Sequence, residues 1–263
     1  MFDLLQIKKT GLDAARKSAE ILLSYFGNLK TYRKKGAIDL VTRADTESEK
    51  IIIDTILKAY PDHGIIAEES GKVRPNADHV WIIDPLDGTT NFAHGVPIYA
   101  TSIAFAVKGE PIFGIVSNPS MNELFIGEKG GGATLNGAPI SVSTTEHLLD
   151  ALLVTGFPYT LKEMLPPLLY KFETMLKNAQ GIRRLGAAAL DLCYVACGRF
   201  DGFWEQELKP WDTAAGALIA NEAGGAVTDF SNNRFRTDMK EILVTNGKIH
   251  NQMISLFASG GER

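Results

Sequence analysis

The residues best suited to chemistry fall in one run, Asp84-Pro85-Leu86-Asp87-Gly88-Thr89-Thr90. Two carboxylates stand three apart in it, separated by a proline and followed by a glycine. Asp84 closes the apolar stretch Val80-Trp81-Ile82-Ile83. A carboxylate at the end of a buried strand needs a partner, because its desolvation is costly. Hard divalent cations are such partners, and magnesium prefers oxygen ligands in octahedral geometry with several waters retained. Pro85 drives Asp84 into an extended conformation and removes one backbone donor. Gly88 permits a positive φ and a sharp turn. The side chains of Asp84 and Asp87 and the Leu86 carbonyl could then converge on one region. A shared Asp beside a private one suits two metals about 4 Å apart. The amides of Gly88 and Thr89 could meet phosphate oxygens. Taken singly, Asp-Pro and Asp-Gly are ordinary turn dipeptides. The whole run from Trp81 to Phe92 favours chemistry over a turn alone.

Other acids could join this run. Glu68 and Glu69 follow the apolar Gly64-Ile65-Ile66-Ala67. Asp212 lies in Trp211-Asp212-Thr213-Ala214-Ala215-Gly216, just before a helix of small residues. It reads as an N-cap, a metal ligand from the second half of the chain, or both. His63, His79 and His94 read as surface or turn residues, since magnesium disfavours imidazole. Cys193 and Cys197 are four apart on one face of a helix and read as small buried apolar groups. Two cysteines make no disulfide framework, which suits a reducing cytoplasm.

The elements that must position these residues follow from periodicity. Residues 3–26 form an amphipathic helix that ends near Gly27. Residues 28–43 are polar and basic and read as a mobile loop or hairpin. A second helix is expected from Thr46 to Tyr60, capped by Asp45 or Thr46. Strands are expected at 64–67, 79–84, 98–107 and 111–117, and Asn136-Gly137 marks a tight turn. Two helices followed by strands predict an antiparallel sheet with helices packed on it. The second half alternates: strands near 151–155, 182–185, 200–204 and 242–245, and helices over 168–178, 187–197, 213–223 and from 249. Pro166-Pro167 is expected at the entry of the first of these helices. This alternation predicts a mixed sheet with covering helices, and so an α+β chain. A soft boundary is placed near residue 145, dividing residues 1–145, with most metal ligands, from 146–263, with Asp212.

The chain has 263 residues, and 45% of them are hydrophobic, enough for a sizeable core. Its net charge of -4 gives no long-range attraction for nucleic acid or an anionic membrane. An anionic substrate would therefore need a local cation. No basic segment followed by a long apolar run opens the chain, and no stretch approaches the roughly 20 apolar residues of a membrane span. The expectation is a cytoplasmic protein without membrane partners.

Taken together, these motifs resemble the inositol monophosphatase family, within the lithium-sensitive, magnesium-dependent phosphatases. The matching stretches are Asp39-Leu40-Val41-Thr42-Arg43-Ala44-Asp45, Ile65 to Ser70, Trp81 to Phe92, and Trp211 to Gly216 with Glu222-Ala223-Gly224-Gly225. One departure is Ala67, where many members carry glycine. The resemblance implies a layered α-β-α-β-α fold and a homodimer. It implies that Glu68, Asp84 and the Leu86 carbonyl hold one magnesium, and that Asp84, Asp87 and Asp212 hold a second. A third, weaker magnesium would sit near Glu68. Asp45 and Thr89 would orient and deprotonate the attacking water, with no phosphoenzyme. Thr42 and Asp39 take structural roles, and Lys34 aligns with a loop lysine near the third metal.

The substrate implied is a small phosphorylated polyol, myo-inositol 1-phosphate. Glu205 would accept hydrogen bonds from its ring hydroxyls, and the Ala188 backbone would approach it, beside Asp87, Gly88, Thr89 and Asp212. Arg183 and Arg184 either reach a second phosphate or face solvent. Relatives of this kind also hydrolyse fructose 1,6-bisphosphate, alone or as bifunctional enzymes, and histidinol phosphate. Others carry an added regulatory binding role.

Overall fold

The computed structural model describes residues 3–28, 33–34, 40–158 and 161–258. Helix α1 (Leu4–Tyr25) is capped by Asp3, whose carboxylate accepts the amides of Leu5 and Gln6. Its apolar stripe of Ile7, Ala14, Ala15 and Leu22 is buried. Strands β1 (Arg33–Lys34) and β2 (Leu40–Val41) pair antiparallel. Helix α2 (Arg43–Ala59) starts earlier than periodicity implied. Its cap is Thr42, not Asp45 or Thr46. The Thr42 hydroxyl accepts the Ala44 amide at 3.0 Å, and Asp45 reaches back to accept the Thr42 amide at 2.8 Å. This reciprocal pair satisfies two orphaned amides and fixes the Asp45 rotamer.

The first sheet contains β3 (Gly64–Ala67), β4 (Gly71–Val73), β5 (His79–Asp87), β6 (Ala100–Val107), β7 (Glu110–Asn118), β8 (Glu123–Glu128), β9 (Gly132–Leu135) and β10 (Ala138–Pro139). Its order is β10-β9-β8-β7-β6-β5-β3-β4. The expected all-antiparallel pairing fails at one place: β3 and β5 run parallel. The hairpin partner of β3 is β4, on its outer edge, so the chain must return along the sheet before entering β5. Both faces of β5 are covered, hence its near-continuous apolar sequence. Val80 and Ile82 join one core cluster, Trp81 and Ile83 another. Asn136 and Gly137, both at positive φ, make the tight β9–β10 turn. The short helix α3 (Thr89–Ala93) follows β5 directly.

The second sheet is mixed. Its strands are β11 (Leu152–Thr155), β12 (Gly181–Arg183), β13 (Gly202–Gln206), β14 (Ala226–Thr228) and β15 (Glu241–Thr245), in the order β12-β11-β13-β15-β14. Between them run α4 (Leu161–Asn178), α5 (Ala188–Ala196) and α6 (Pro210–Glu222), and α7 (His250–Ala258) ends the fold. Pro166 and Pro167 lie inside α4 rather than at its entry. Helix α6 begins at Pro210, whose fixed φ suits a first helical position, so Asp212 is inside the helix and not before it.

The layers stack α1/α2, first sheet, α5/α6, second sheet, α4/α7. Ile52 and Ile56 meet Trp81 and Phe105 on the outer face of the first sheet. Leu190 and Ile219 fill the space between Phe125 of the first sheet and Phe203 of the second. Met175 and Phe257 cover Leu153 and Trp204 on the far side. Helix α6 lies unusually close to the first sheet. A Cβ on Gly127 would stand 2.9 Å from the Ile219 Cα, so only glycine fits there.

Candidate active site

Strand β5 delivers Asp84 into the protein interior and then breaks register between Asp84 and Asp87. The Asp84 carboxylate accepts the Leu86 amide at 2.9 Å, which folds the turn on itself. The Pro85 carbonyl accepts from Ser48 at 3.1 Å and from Thr101 at 3.2 Å. Gly88 takes φ 85 and caps α3. A side chain there would meet the Ile98 carbonyl at 2.9 Å. The turn is thus fixed by hydroxyl groups from α2 and β6 and by a glycine that nothing larger can replace.

One cleft is lined by Glu68, Asp84, Leu86, Asp87, Gly88 and Thr89 on one side and by Ala188, Glu205 and Asp212 on the other. All the acids expected at the metals share this cleft. Burial pushes Asp84 well above the usual carboxylate range, and the charges of Glu68, Asp87 and Asp212 push it further. Burial and Asp212 do the same to Asp87, while the Ala189 amide, at 2.7 Å from Asp87 Oδ2, opposes them. Burial raises Asp212 to about 6, against the pull of the Lys209 amide, which donates to it at 2.7 Å. Such crowded acids need a cation to remain ionised together.

The donor set fits magnesium chemically. It is all oxygen and free of thiolate and imidazole. Among the described residues no three His, Cys, Asp or Glu side chains are closed around a common point. The acids line one cleft without being gathered there into a ready metal cage.

Asp45 and Thr89 come together from elements far apart in sequence. The Thr89 hydroxyl lies 3.0 Å from Asp45 Oδ1 and 3.0 Å from the Leu86 carbonyl. Asp45 Oδ2 accepts from both the Thr42 amide and its hydroxyl, at 2.8 and 2.6 Å. Burial still raises the Asp45 pKa, despite these donors and Thr89. A buried carboxylate that already holds a hydroxyl proton is a serviceable base.

Glu205 rises from β13 and is buried against Gly156, where even a methyl group would stand 2.1 Å from its carboxylate. Burial, then the charges of Asp212 and Asp87, raise it to about 8, while Arg184 opposes the rise. Of the two arginines left open by sequence, Arg184 lines the cleft. Arg183 is exposed and donates to its own neighbour's carbonyl, that of Ile182, at 3.0 Å.

Ala188 starts α5, and its helix aims the Ala189 amide at Asp87. Lys34 belongs to β1, but its side chain lies outside the described residues, as does Asp39. Cys193 on α5 and Cys197 just past its end are free thiols, the first buried and the second half-buried. None of His63, His79 and His94 lines the cleft.

Sequence reasoning missed several supporting residues. Glu49 of α2 accepts the Glu69 and Ser70 amides at 2.8 and 2.7 Å, holding the turn that carries Glu68. Gly156, Gly186 and Leu208 also line the cleft. A helical glutamate and scattered glycines carry no local signal of this kind. Only contacts across the fold reveal them.

Comparison with known proteins points to one family. The family model described as "Inositol monophosphatase family" matches residues 3–262. The inositol-1-monophosphatase of Synechocystis sp. is 43% identical over 98% of this chain and 90% of its own length. A putative Nus factor SuhB of Neisseria meningitidis is also 43% identical, over 95% of this chain and 97% of its own. The structure of an inositol monophosphatase from Anabaena superimposes with a TM-score of 0.90 at 39% identity, covering 98% of this chain and 97% of that one.

Proposed function

The chain belongs to the inositol monophosphatase family, and we propose that it hydrolyses myo-inositol 1-phosphate to inositol and phosphate with magnesium. One observation carries this: a Thr89 hydroxyl 3.0 Å from a buried Asp45 carboxylate, beside a cleft lined by Glu68, Asp84, Asp87 and Asp212. Glu68, Asp84 and the Leu86 carbonyl would hold one magnesium, and Asp84, Asp87 and Asp212 a second. A third would sit near Glu68. When bound, magnesium neutralises phosphate charge, lowers the pKa of water and stabilises the leaving alkoxide.

The residues do the rest. Thr89 has no basicity of its own, so it acts as a relay. Water gives its proton to the Thr89 hydroxyl as Thr89 hands its own to Asp45 Oδ1. The Gly88 and Thr89 amides follow the turn where phosphate oxygens would lie. Glu205 accepts hydrogen bonds from the hydroxyls of the polyol, and the N-terminal turn of α5 at Ala188 packs beside it. A second phosphate near Glu205 would meet buried acid as well as Arg184, which favours a monophosphate over fructose 1,6-bisphosphate. Lithium sensitivity and a homodimer are carried over from the family as parts of this proposal; magnesium, a cytoplasmic setting and the division near residue 145 are carried over from the sequence reading. The Neisseria relative's name speaks of that protein; its equal identity to this chain supports an added binding role as the second reading.

The test is phosphate release with magnesium on myo-inositol 1-phosphate, fructose 1,6-bisphosphate, histidinol phosphate and 3′-phosphoadenosine 5′-phosphate. The highest kcat/KM is expected on the first. A higher value on any other overturns the substrate assignment. In the same assay Asp84→Asn should abolish turnover with the fold intact; substantial magnesium-dependent activity would remove Asp84 from the site.

A further inference from the structure

One buried acid has no part in the chemistry above. Asp191 lies on α5 and is 0% exposed, and neither of its carboxyl oxygens is hydrogen bonded by any of the described residues. Its backbone is ordinary: the amide donates to the Ala187 carbonyl at 3.0 Å. Its surroundings are not. Helix α5 packs on β13, the strand that bears Glu205. The charged groups that act on Asp191 are Glu205 first, then Asp87, with Arg184 opposing them. All three of these line the cleft. Asp191 therefore lies on the helix that packs against the Glu205 strand, within the electrostatic reach of the cleft's charged groups.

A carboxyl group with no other purpose is a costly occupant of a helical core between two sheets. Leucine or methionine would fill the same space without a polar atom. Burial and the Glu205 charge both favour its protonated form, in which it is a donor. The acceptor nearest in charge, Glu205, is itself enclosed and has one flank closed by Gly156.

We propose that Asp191 is a positioning residue for substrate selection, donating toward Glu205 through a bridging water and so keeping Glu205 turned to the hydroxyls of the leaving group. This inference rests on Glu205 being the polyol contact. It makes Asp191 important for substrates that offer a diol and unimportant for those that do not. The Asp45–Thr89 pair is not among the groups that act on it.

The experiment compares two substrates in the magnesium-loaded enzyme: myo-inositol 1-phosphate and p-nitrophenyl phosphate, whose leaving group has no ring hydroxyls. Asp191→Leu should lower kcat/KM on the polyol about tenfold, mainly through KM, the scale of one lost hydrogen bond. On p-nitrophenyl phosphate it should stay within about twofold. Asp191→Asn keeps a donor of the same shape and should restore most of the selectivity. Glu205→Gln should lower kcat/KM on the polyol at least as much as Asp191→Leu, and the double variant should be no worse on the polyol than Glu205→Gln alone.

Equal losses on both substrates, no change on either, or strictly additive variants overturn the proposal. So does an Asn variant as impaired as the Leu variant. If Asp191→Leu does not fold, the Asn variant and the substitution Asp191→Ser decide: Ser, too short to reach Glu205, should lose polyol selectivity while Asn keeps it, and the opposite ranking overturns the idea. A wild-type protein that ignores the polyol phosphate defeats the functional assignment itself, which is a separate outcome.

Discussion

At the scale of single residues, the site depends on acids held where water would not leave them. Asp45 shows how. Its Oδ2 is committed to Thr42, which leaves Oδ1 to face the Thr89 hydroxyl. In the proposed mechanism this division leaves Asp45 as the base and outside the metal ligands. Asp45→Asn should therefore slow kcat by about 10²–10⁴, the usual contribution of a general base. Magnesium affinity, read by calorimetry, should change little. A normal rate would take Asp45 out of the relay. With water as the proposed nucleophile, single turnover in labelled water should place the label in phosphate; a phosphorylated side chain would contradict the proposal.

At the scale of elements, helix starts and turns set the chemistry. The capping box of α2 is both a structural and a functional device. Thr42→Ala should cost about 1 kcal/mol of stability, the usual loss for a helix cap. It should also lower kcat, because Asp45 loses a hydroxyl donor and its fixed rotamer. Urea unfolding and turnover measured together check both effects; a loss of stability with unchanged kcat would show that the cap does not orient the base. The same logic applies at Asp212, which is third in α6 and accepts the amide before the helix. Sequence alone offered an N-cap, a ligand or both. The third position instead lets one carboxylate oxygen hold the helix start while the other is left for the cleft.

At the scale of the whole molecule, the cleft stores electrostatic strain. Glu205 moves from its ordinary 4.5 to about 8, and Asp212 from 3.8 to about 6, chiefly through burial. The folded state thus binds protons more tightly than the unfolded chain in this window. Stability must then fall as pH rises. Metal-free protein should unfold at progressively lower temperature between about pH 5 and pH 8. Glu205→Gln should flatten that slope. Magnesium binds the ionised acids and should oppose it, raising the unfolding temperature most at the alkaline end. A metal-free protein that gains stability over this range would contradict the enclosed state of these acids.

The sequence by itself determined the reaction more than the architecture. Asp84-Pro85-Leu86-Asp87-Gly88-Thr89 is a local object, and its chemistry follows from residue types and short-range backbone rules. The strands and helices were also legible from period, because one buried face leaves a regular trace. Three things needed the tertiary structure. The parallel β3–β5 pair depends on where the β4 hairpin sits, and no local pattern records that. The starts of α2 and α6 depend on Thr42 and Pro210, whose roles show only when the cap forms. Glu49, Gly156 and Asp191 acquire meaning from partners 14 or more positions away: the Glu69 amide for the first and the Glu205 carboxylate for the other two. Periodicity reports which face is buried. Only the folded chain reports what each buried polar group is buried against, and here that decides which substrate the cleft would select.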